Sequence, residues 1–429
     1  MNREMKHSGI AWIGDIPNQW EVVRHKNVMH KQKDIQELYH KQDIISLTMG
    51  GVVVRDLNAG GKMPTSFDGY QHVYPNDLLL CLFDIDVTPR CVGLVKNAGV
   101  TSPAYSRFIT HSNAYAPYYD YLLRYIDDYK CFLHLSKNLR SSLTETDFGM
   151  IHTCLPPLAE QKAIADFLDK KCEEIDELVA LQEKIIEELK SYKQSVITET
   201  VCKGLNPNAP MKDSGVEWIG EIPEGWNLRY IKDVATFHNG DRGVNYPSGD
   251  DLVSDGIPFL TSNNLHQLLL DIEKYTCKYI TLDRYNILGG VKIQLDDIIY
   301  CLRGSIGNCT LNKQITEGTV ASSLMVIRPR YISPEYLNYY LHSHIVSAQT
   351  EVYMNGTCAA NLSAENVSKF NIHIPPAEEQ QEIADYLDKK CSEIEQLISI
   401  KQQKVVELKE YKKSLIYEYT TGKKEVAHA

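Results

Sequence analysis

The sequence predicts a mixed α/β (α+β) chain built as an internal duplication. Two similar domains are separated by two long antiparallel coiled-coil helices, which gives the chain a pseudo-twofold character. Three observations carry this prediction. A tryptophan-rich box occurs twice, a long helix-forming segment occurs twice, and the stretch between them reads both times as strands followed by short aromatic helices.

The boxes are "MKHSGIAWIGDIPNQW" from Met5 to Trp20 and "MKDSGVEWIGEIPEGW" from Met211 to Trp226, and together they hold all four tryptophans. In each, Ile-Pro-x-x-Trp sets an aromatic ring against a proline, so Trp20 and Trp226 are expected to pack and anchor the entry to each domain. Trp12 and Trp218 are the candidate partner-docking residues, because tryptophan dominates binding hot spots when it is desolvated.

The repeated segments run from Leu155 to Ile197 and from Ile374 to Ile416, aligning without gaps at 22 of 43 identical positions. Pro156-Pro157 and Pro375-Pro376 suit helix entry, since proline is tolerated in a first turn. No glycine or proline follows before Gly204 and Gly422, and strong helix formers dominate. The predicted inter-helix packing stripe is Ile164, Leu168, Ile175, Leu178, Ile185, Leu189 and Tyr192 in the first copy. In the second it is Ile383, Leu387, Ile394, Leu397, Leu408 and Tyr411, with Lys404 in place of Ile185 and a shift toward Val405. A helix of this length spans roughly 63 Å at about 1.5 Å per residue. So long a stripe needs another long helix, and the duplicate is the obvious partner.

The domain plan that follows is 1–154 with its box at 5–20, a long helix at 155–204, a second domain at 205–373 with its box at 211–226, a second helix at 374–422 and a tail at 423–429. Strand-like runs include "DLLLCLF" (Asp77–Phe83), "CVGLVK" (Cys91–Lys96), "DIIYCLR" (Asp297–Arg303) and "SLMVIRP" (Ser323–Pro329). Asp77, Cys81 and Leu82 match Asp297, Cys301 and Leu302, a trace of duplication inside the diverged domains.

Bulk properties narrow the function classes. No apolar run approaches the roughly 20 residues of a membrane helix, and the polar N-terminus lacks the apolar core of a signal peptide. Eleven scattered cysteines without a C-x-x-C pair argue against a disulfide framework or a zinc site and for a reducing cytoplasm. The net charge of −11 sits mostly in the repeated helices: 11 acidic against 6 basic residues from Ala159 to Thr200, and 10 against 7 from Glu378 to Thr420. The domains are close to neutral, so bulk charge leaves DNA binding open.

No catalytic constellation stands out. A phosphate loop and a dinucleotide turn are both absent, and "DFG" at Asp147–Gly149 lacks the partners of a kinase site. "ELK" at Glu188–Lys190 and Glu407–Lys409 echoes a nuclease tail but sits inside a heptad pattern. No catalytic residue, no metal ligand and no cofactor of its own is expected of this chain.

With both repeats laid out, the chain resembles the specificity subunit of type I restriction-modification systems. The resemblance rests on "SGVEWIGEIPEGW" (Ser214–Trp226), "LPPLAEQKAIADFLD" (Leu155–Asp169), "IPPAEEQQEIADYLD" (Ile374–Asp388) and "CLRGSIGNC" (Cys301–Cys309). The first domain departs from it, with "CLFDIDVTPRCVG" where the second has "CLRGSIGNC". The resemblance implies a non-catalytic address reader in which two target-recognition domains each bind half of an asymmetric bipartite double-stranded DNA target. It implies two modification subunits that bring S-adenosylmethionine, and restriction subunits that use ATP and Mg, as partners. Half-sites read by such a dimer-like molecule lie about one helical turn, roughly 34 Å, apart. The alternative reading is a non-catalytic coiled-coil scaffold presenting two protein-binding domains.

Loop Arg, Lys and Asn residues are the DNA-binding candidates, because they pair with phosphates and with the groove edges of G and A. They are Lys62, Arg90, Lys96, Arg107 and Arg140 in the first domain, and Arg242, Asn263, Asn264, Arg303, Lys313 and Asn361 in the second.

Overall fold

A computed structural model describes residues 3–58, 64–88, 90–135, 141–274, 276–354 and 361–426. The chain divides into two compact units, Met1–Gln182 with Gln403–Ala429, and Glu183–Gln402. The division falls inside both long helices, Leu158–Lys203 and Ala377–Thr420, so each unit owns part of each.

In the first unit, four strands form an antiparallel sheet in the order Met29–Lys31, Ser106–Thr110, Leu78–Leu80, Val92–Leu94. In the second, Ala235–Asn239, Leu324–Pro329, Ile298–Cys301 and Cys309–Leu311 form an antiparallel sheet in the same order. The strand leaving each box pairs with the strand entering the long helix: Glu21–Arg24 with His152–Leu155, and Asn227–Tyr230 with Asn371–Ile374. A tyrosine-rich helix packs behind each sheet, Ala116–Asp128 and Pro334–Leu341, and both carry proline in the first turn. The duplication is therefore visible in topology where the sequence kept only traces of it.

The units differ beside the shared sheet. The second adds a four-stranded sheet in which Ile257–Leu260 runs parallel to Thr319–Val320. The first has a hairpin, Ile45–Thr48 with Gly51–Val54, and a separate pair, Gln71–Val73 with Gly99–Thr101.

The long helices pair antiparallel within each unit. In the first unit the rings of Phe167 and Tyr419 lie 4.4 Å apart, and Lys412 Nζ reaches Asp176 at 2.6 Å. In the second, Lys193 pairs with Glu395. The buried seam contains Ile164, Leu168, Cys172, Ile175, Val179 and Ile186 on the first helix, and Ile383, Leu387, Cys391, Ile394 and Val405 on the second. Steps of three and four residues give the heptad spacing of a coiled coil.

Four residues assigned to this seam by periodicity lie outside it. Leu178, Tyr192, Leu397 and Tyr411 are 46%, 58%, 47% and 55% exposed, whereas Ile185, Leu189 and Leu408 are half-buried. For Leu178, Ile185 and Leu397 the reason is local. Leu178-Val179, Ile185-Ile186 and Leu397-Ile398 are adjacent apolar pairs, so two seams one residue apart fit the sequence equally well, and packing selected Val179 and Ile186.

Each long helix ends at a glycine in the left-handed region, Gly204 at φ +72° and Gly422 at φ +73°. A Cβ on Gly204 would lie 3.2 Å from the Trp226 ring, and one on Gly422 would lie 3.0 Å from the Trp20 ring. Only glycine allows both that backbone and that approach. Among the described residues, no helix is long and apolar enough to cross a membrane.

Candidate nucleic-acid interface

The tyrosine-rich helices are fixed to the long helices by matching hydrogen bonds. Tyr121 Oη donates to Asp169 Oδ1 at 2.7 Å, and Tyr339 Oη donates to Asp388 Oδ1 at 2.6 Å. Gln161 donates to Pro156 O and accepts from Tyr115 N, both at 2.8 Å. Gln380 repeats this with Pro375 O at 2.9 Å and Ser333 N at 2.8 Å. Each tyrosine-rich helix, which packs behind its sheet, is thus tied to its own part of the helix pair.

In the second unit the β topology gathers several candidates at one edge. Strands Ala235–Asn239 and Ile298–Cys301 both end where Leu324–Pro329 begins, since Asn239 pairs with Met325 and Cys301 with Leu324. Leu260 O accepts from Ala321 N at 2.8 Å, which brings the end of Ile257–Leu260 to the same place. Arg242, Asn263 and Arg303 follow these three strand ends, and Asn361 forms an isolated bridge with Arg303. All four are exposed. Neither the Arg242 nor the Arg303 guanidinium has an ion pair among the described residues. A surface of two unpaired guanidiniums and two amides, held on strand ends, can meet phosphates and base edges without first breaking internal bonds.

Other candidates are placed differently. Lys313 is at the opposite end of the sheet, where its Nζ lies 2.5 Å from both Asp296 and Glu335 carboxylates. Asn264 is 2% exposed and caps its own turn, its Oδ1 accepting from Thr261 N at 2.9 Å. Neither is presented to a ligand.

In the first unit Arg107 is internal. Its Nε donates to Asp77 Oδ2 at 2.6 Å, and the two side chains are only 5% and 6% exposed. Arg328 and Asp297 repeat the pair at 2.7 Å. The Asp that the two domains share is therefore half of an internal ion pair, and Arg107 belongs to the scaffold. Arg90 is partly engaged, donating to Met49 O at 2.8 Å with Asp128 at 3.3 Å. Lys96 is exposed beyond Leu94, the end of its strand away from Phe83. Lys62 and Arg140 lie outside the described residues.

Sequence reasoning passed over the surface of the first unit that corresponds to Arg303. Phe83, Val87 and Met49 are exposed there, and the departure "CLFDIDVTPRCVG" was its only signal. Trp20 and Trp226 are buried, at 0% and 1%, as packing residues are; Trp218 is 39% exposed and Trp12 half-buried.

One cavity of about 630 Å³ in the second unit is lined by Cys309, His342, His344 and Glu351, among others. Cys309 Sγ lies 3.5 Å from His342 Nδ1, which raises the question of a nucleophilic thiol. Burial pushes the thiol far up and the imidazole down, so neither charged form of a thiolate–imidazolium pair is favoured. The pair is a packing contact. Among the described residues no cluster of three or more His, Cys, Asp or Glu is arranged to hold a metal ion.

Known proteins resemble this chain in sequence and in fold. A family model described as the type I restriction modification DNA specificity domain matches residues 223–410. A protein assigned as the type I restriction enzyme MjaX specificity subunit of Methanocaldococcus jannaschii is 25% identical, over 96% of this chain and 95% of that one. The type I restriction enzyme EcoBI specificity subunit of Escherichia coli is 26% identical over 53% of this chain and 49% of its own. A solved chain from a study of complex assembly and conformational transition of the type I R-M system superposes with a TM-score of 0.71 at 16% identity, covering 94% of this chain and 98% of that one. The HsdS subunit from Thermoanaerobacter tengcongensis gives 0.52 at 17% identity, covering 95% and 98%. At these identities the structural likeness concerns the fold.

Proposed function

We infer that this chain belongs to the type I restriction-modification DNA-specificity family and is the DNA-reading subunit of such a complex. One observation carries the reading: two units repeat the same sheet, tyrosine helix and box, yet differ at the outer edge. Shared parts suit shared partners and geometry, and diverged edges suit two unlike halves of an asymmetric bipartite target. In the second unit Arg242, Asn263, Arg303 and Asn361 are the groups we assign to that contact.

The chain on this reading is non-catalytic and cytoplasmic, and S-adenosylmethionine, ATP and Mg act on its partners. The exposed apolar residues of the long helices support docking of two modification subunits. Leu178 and Leu181 recur as Leu397 and Ile400, and Tyr192 recurs as Tyr411, all of them exposed. These positions form a second apolar seam beside the buried one, the pattern of a helix that packs on two faces. A duplicated seam suits one copy of the modification subunit for each repeat, with restriction subunits joining that assembly.

The test is to sequence methylated adenines in cells with and without this chain. The expected result is a bipartite motif that disappears with the chain. Arg303→Ala, in a gel-shift with the modification subunit present, should weaken binding and relax one half of the motif. A duplex bound without regard to sequence would leave the scaffold reading in its place.

A further inference from the structure

The outer edges of the two units differ at one equivalent position. Leu82 O accepts from Leu143 N at 2.8 Å, and Leu302 O accepts from Leu362 N at 3.1 Å. The Cys81 thiol reaches Phe83 O at 3.5 Å, as the Cys301 thiol reaches Arg303 O at 3.0 Å. Phe83 therefore stands in the place of Arg303.

The surroundings change with it. Phe83 is 39% exposed, and Val87 and Met49 are each 74% exposed. Arg90 joins the segments that carry them: it follows the Phe83–Val87 loop and donates through Nε to Met49 O at 2.8 Å. Two exposed carboxylates, Asp84 and Asp86, lie in the same loop, without an ion pair among the described residues. The edge that presents guanidiniums and amides in one unit presents apolar groups and carboxylates in the other, where the two cations at the loop are engaged: Arg90 on Met49 O and Asp128, and Lys130 Nζ on Thr88 O at 2.8 Å.

We propose that the first unit reads its half-site by apolar contact with thymine C5-methyl groups in the major groove, through Phe83 with Val87 and Met49. This rests on the DNA-reading assignment above. The thymine methyl is the apolar group that the major groove offers, and a phenyl ring or aliphatic chain covers it where a guanidinium would instead seek guanine O6 and N7. The carboxylates would be repelled by phosphates, but they can accept from the cytosine N4 amino group. An acidic, apolar edge thus favours pyrimidine features, and the Arg303 edge favours guanine and adenine. The two half-sites then differ in chemistry because one structural position changed from guanidinium to phenyl.

The experiment uses the full chain with its modification subunit and a duplex carrying the motif recovered from methylated adenines. Thymines are replaced by deoxyuridine, which lacks only the methyl group, in one half-site at a time. In the half-site that Phe83→Ala weakens, each contacted methyl should be worth about fourfold in affinity. Phe83→Ala should abolish that difference, while Arg303→Ala relaxes the other half-site and preserves it. The proposal is overturned if the half-site contains no thymine or if deoxyuridine binds as well as thymine. It is also overturned if Phe83→Ala weakens thymine and uracil duplexes equally, as a wedge between base steps would. Failure of the DNA-reading assignment would look different: neither variant nor any base change in the motif would then alter binding.

Discussion

The indole nitrogen of Trp226 donates to Glu379 Oε2 at 2.9 Å, and that of Trp20 donates to Glu160 Oε2 at the same distance. Both carboxylates sit in the first turn of a long helix, where the N-terminal end of the helix dipole favours negative charge. Each tryptophan is fully enclosed, so the carboxylate is the means by which its N–H avoids being left unpaired. The repeated box is thus a joint between the entry of each domain and the start of its helix.

Glu379→Ala removes the acceptor and leaves a buried donor unsatisfied. The expected loss is about 1–3 kcal/mol, measured by urea unfolding. Trp226→Ala, which also opens a cavity against Gly204, should cost about 3–5 kcal/mol. A loss in Glu379→Ala too small to resolve would mean that water replaces the carboxylate.

Arg107 and Arg303 should separate stability from recognition. Arg107→Ala strands the enclosed Asp77 carboxylate and is expected to cost about 3–5 kcal/mol. Arg303→Ala on the open edge should change stability by less than about 0.5 kcal/mol and act on DNA binding. Paired denaturation and gel-shift measurements of the two variants check this, and equal destabilisation would contradict the placement of Arg303.

His25 and His373 should make the protein acid-sensitive. Burial holds each imidazole down to about 4 from the usual 6.5, with His152 adding a smaller repulsion to His25. The unfolded chain takes up protons near pH 6.5 while the folded chain does not until about pH 4. Stability is therefore complete above pH 6.5, falls as pH drops through this window, and falls no further on their account below it. Each contributes about 3 kcal/mol at most. Unfolding curves at about pH 7 and about pH 5 should show a smaller acid loss in His373→Asn than in the parent.

The two faces of the long helices can be told apart by charge. Leu397→Glu, on the exposed seam, should leave stability within about 0.5 kcal/mol and weaken co-purification with the modification subunit by about tenfold or more. Ile394→Glu places a carboxylate in the buried seam and should unfold the pair. If Leu397→Glu keeps full partner binding, the second seam is not the docking face.

Much of this was legible in the residues. Pro-Pro followed by an uninterrupted helical run fixed where each long helix starts, and Gly204 and Gly422 fixed where it stops, because proline and glycine constrain the backbone whatever surrounds them. The duplicated boxes and the enclosed role of Trp20 and Trp226 followed from repetition and from the size of the ring. These are local or repeated properties, and one chain is enough to reveal them.

Contact between distant residues had to be decided by folding. At Leu178-Val179 and Ile185-Ile186 two adjacent apolar residues compete for one seam, and only packing against the opposite helix chooses between them. Arg107 and Arg303 are the same residue type, but one lies within the strand Ser106–Thr110 and meets Asp77 beside the neighbouring strand, while the other follows a strand end and meets solvent. Composition reports what a side chain could do; the strand register determines whether a buried carboxylate or an open edge receives it. That is why the architecture could be read from the sequence, while the groups free to touch DNA could not.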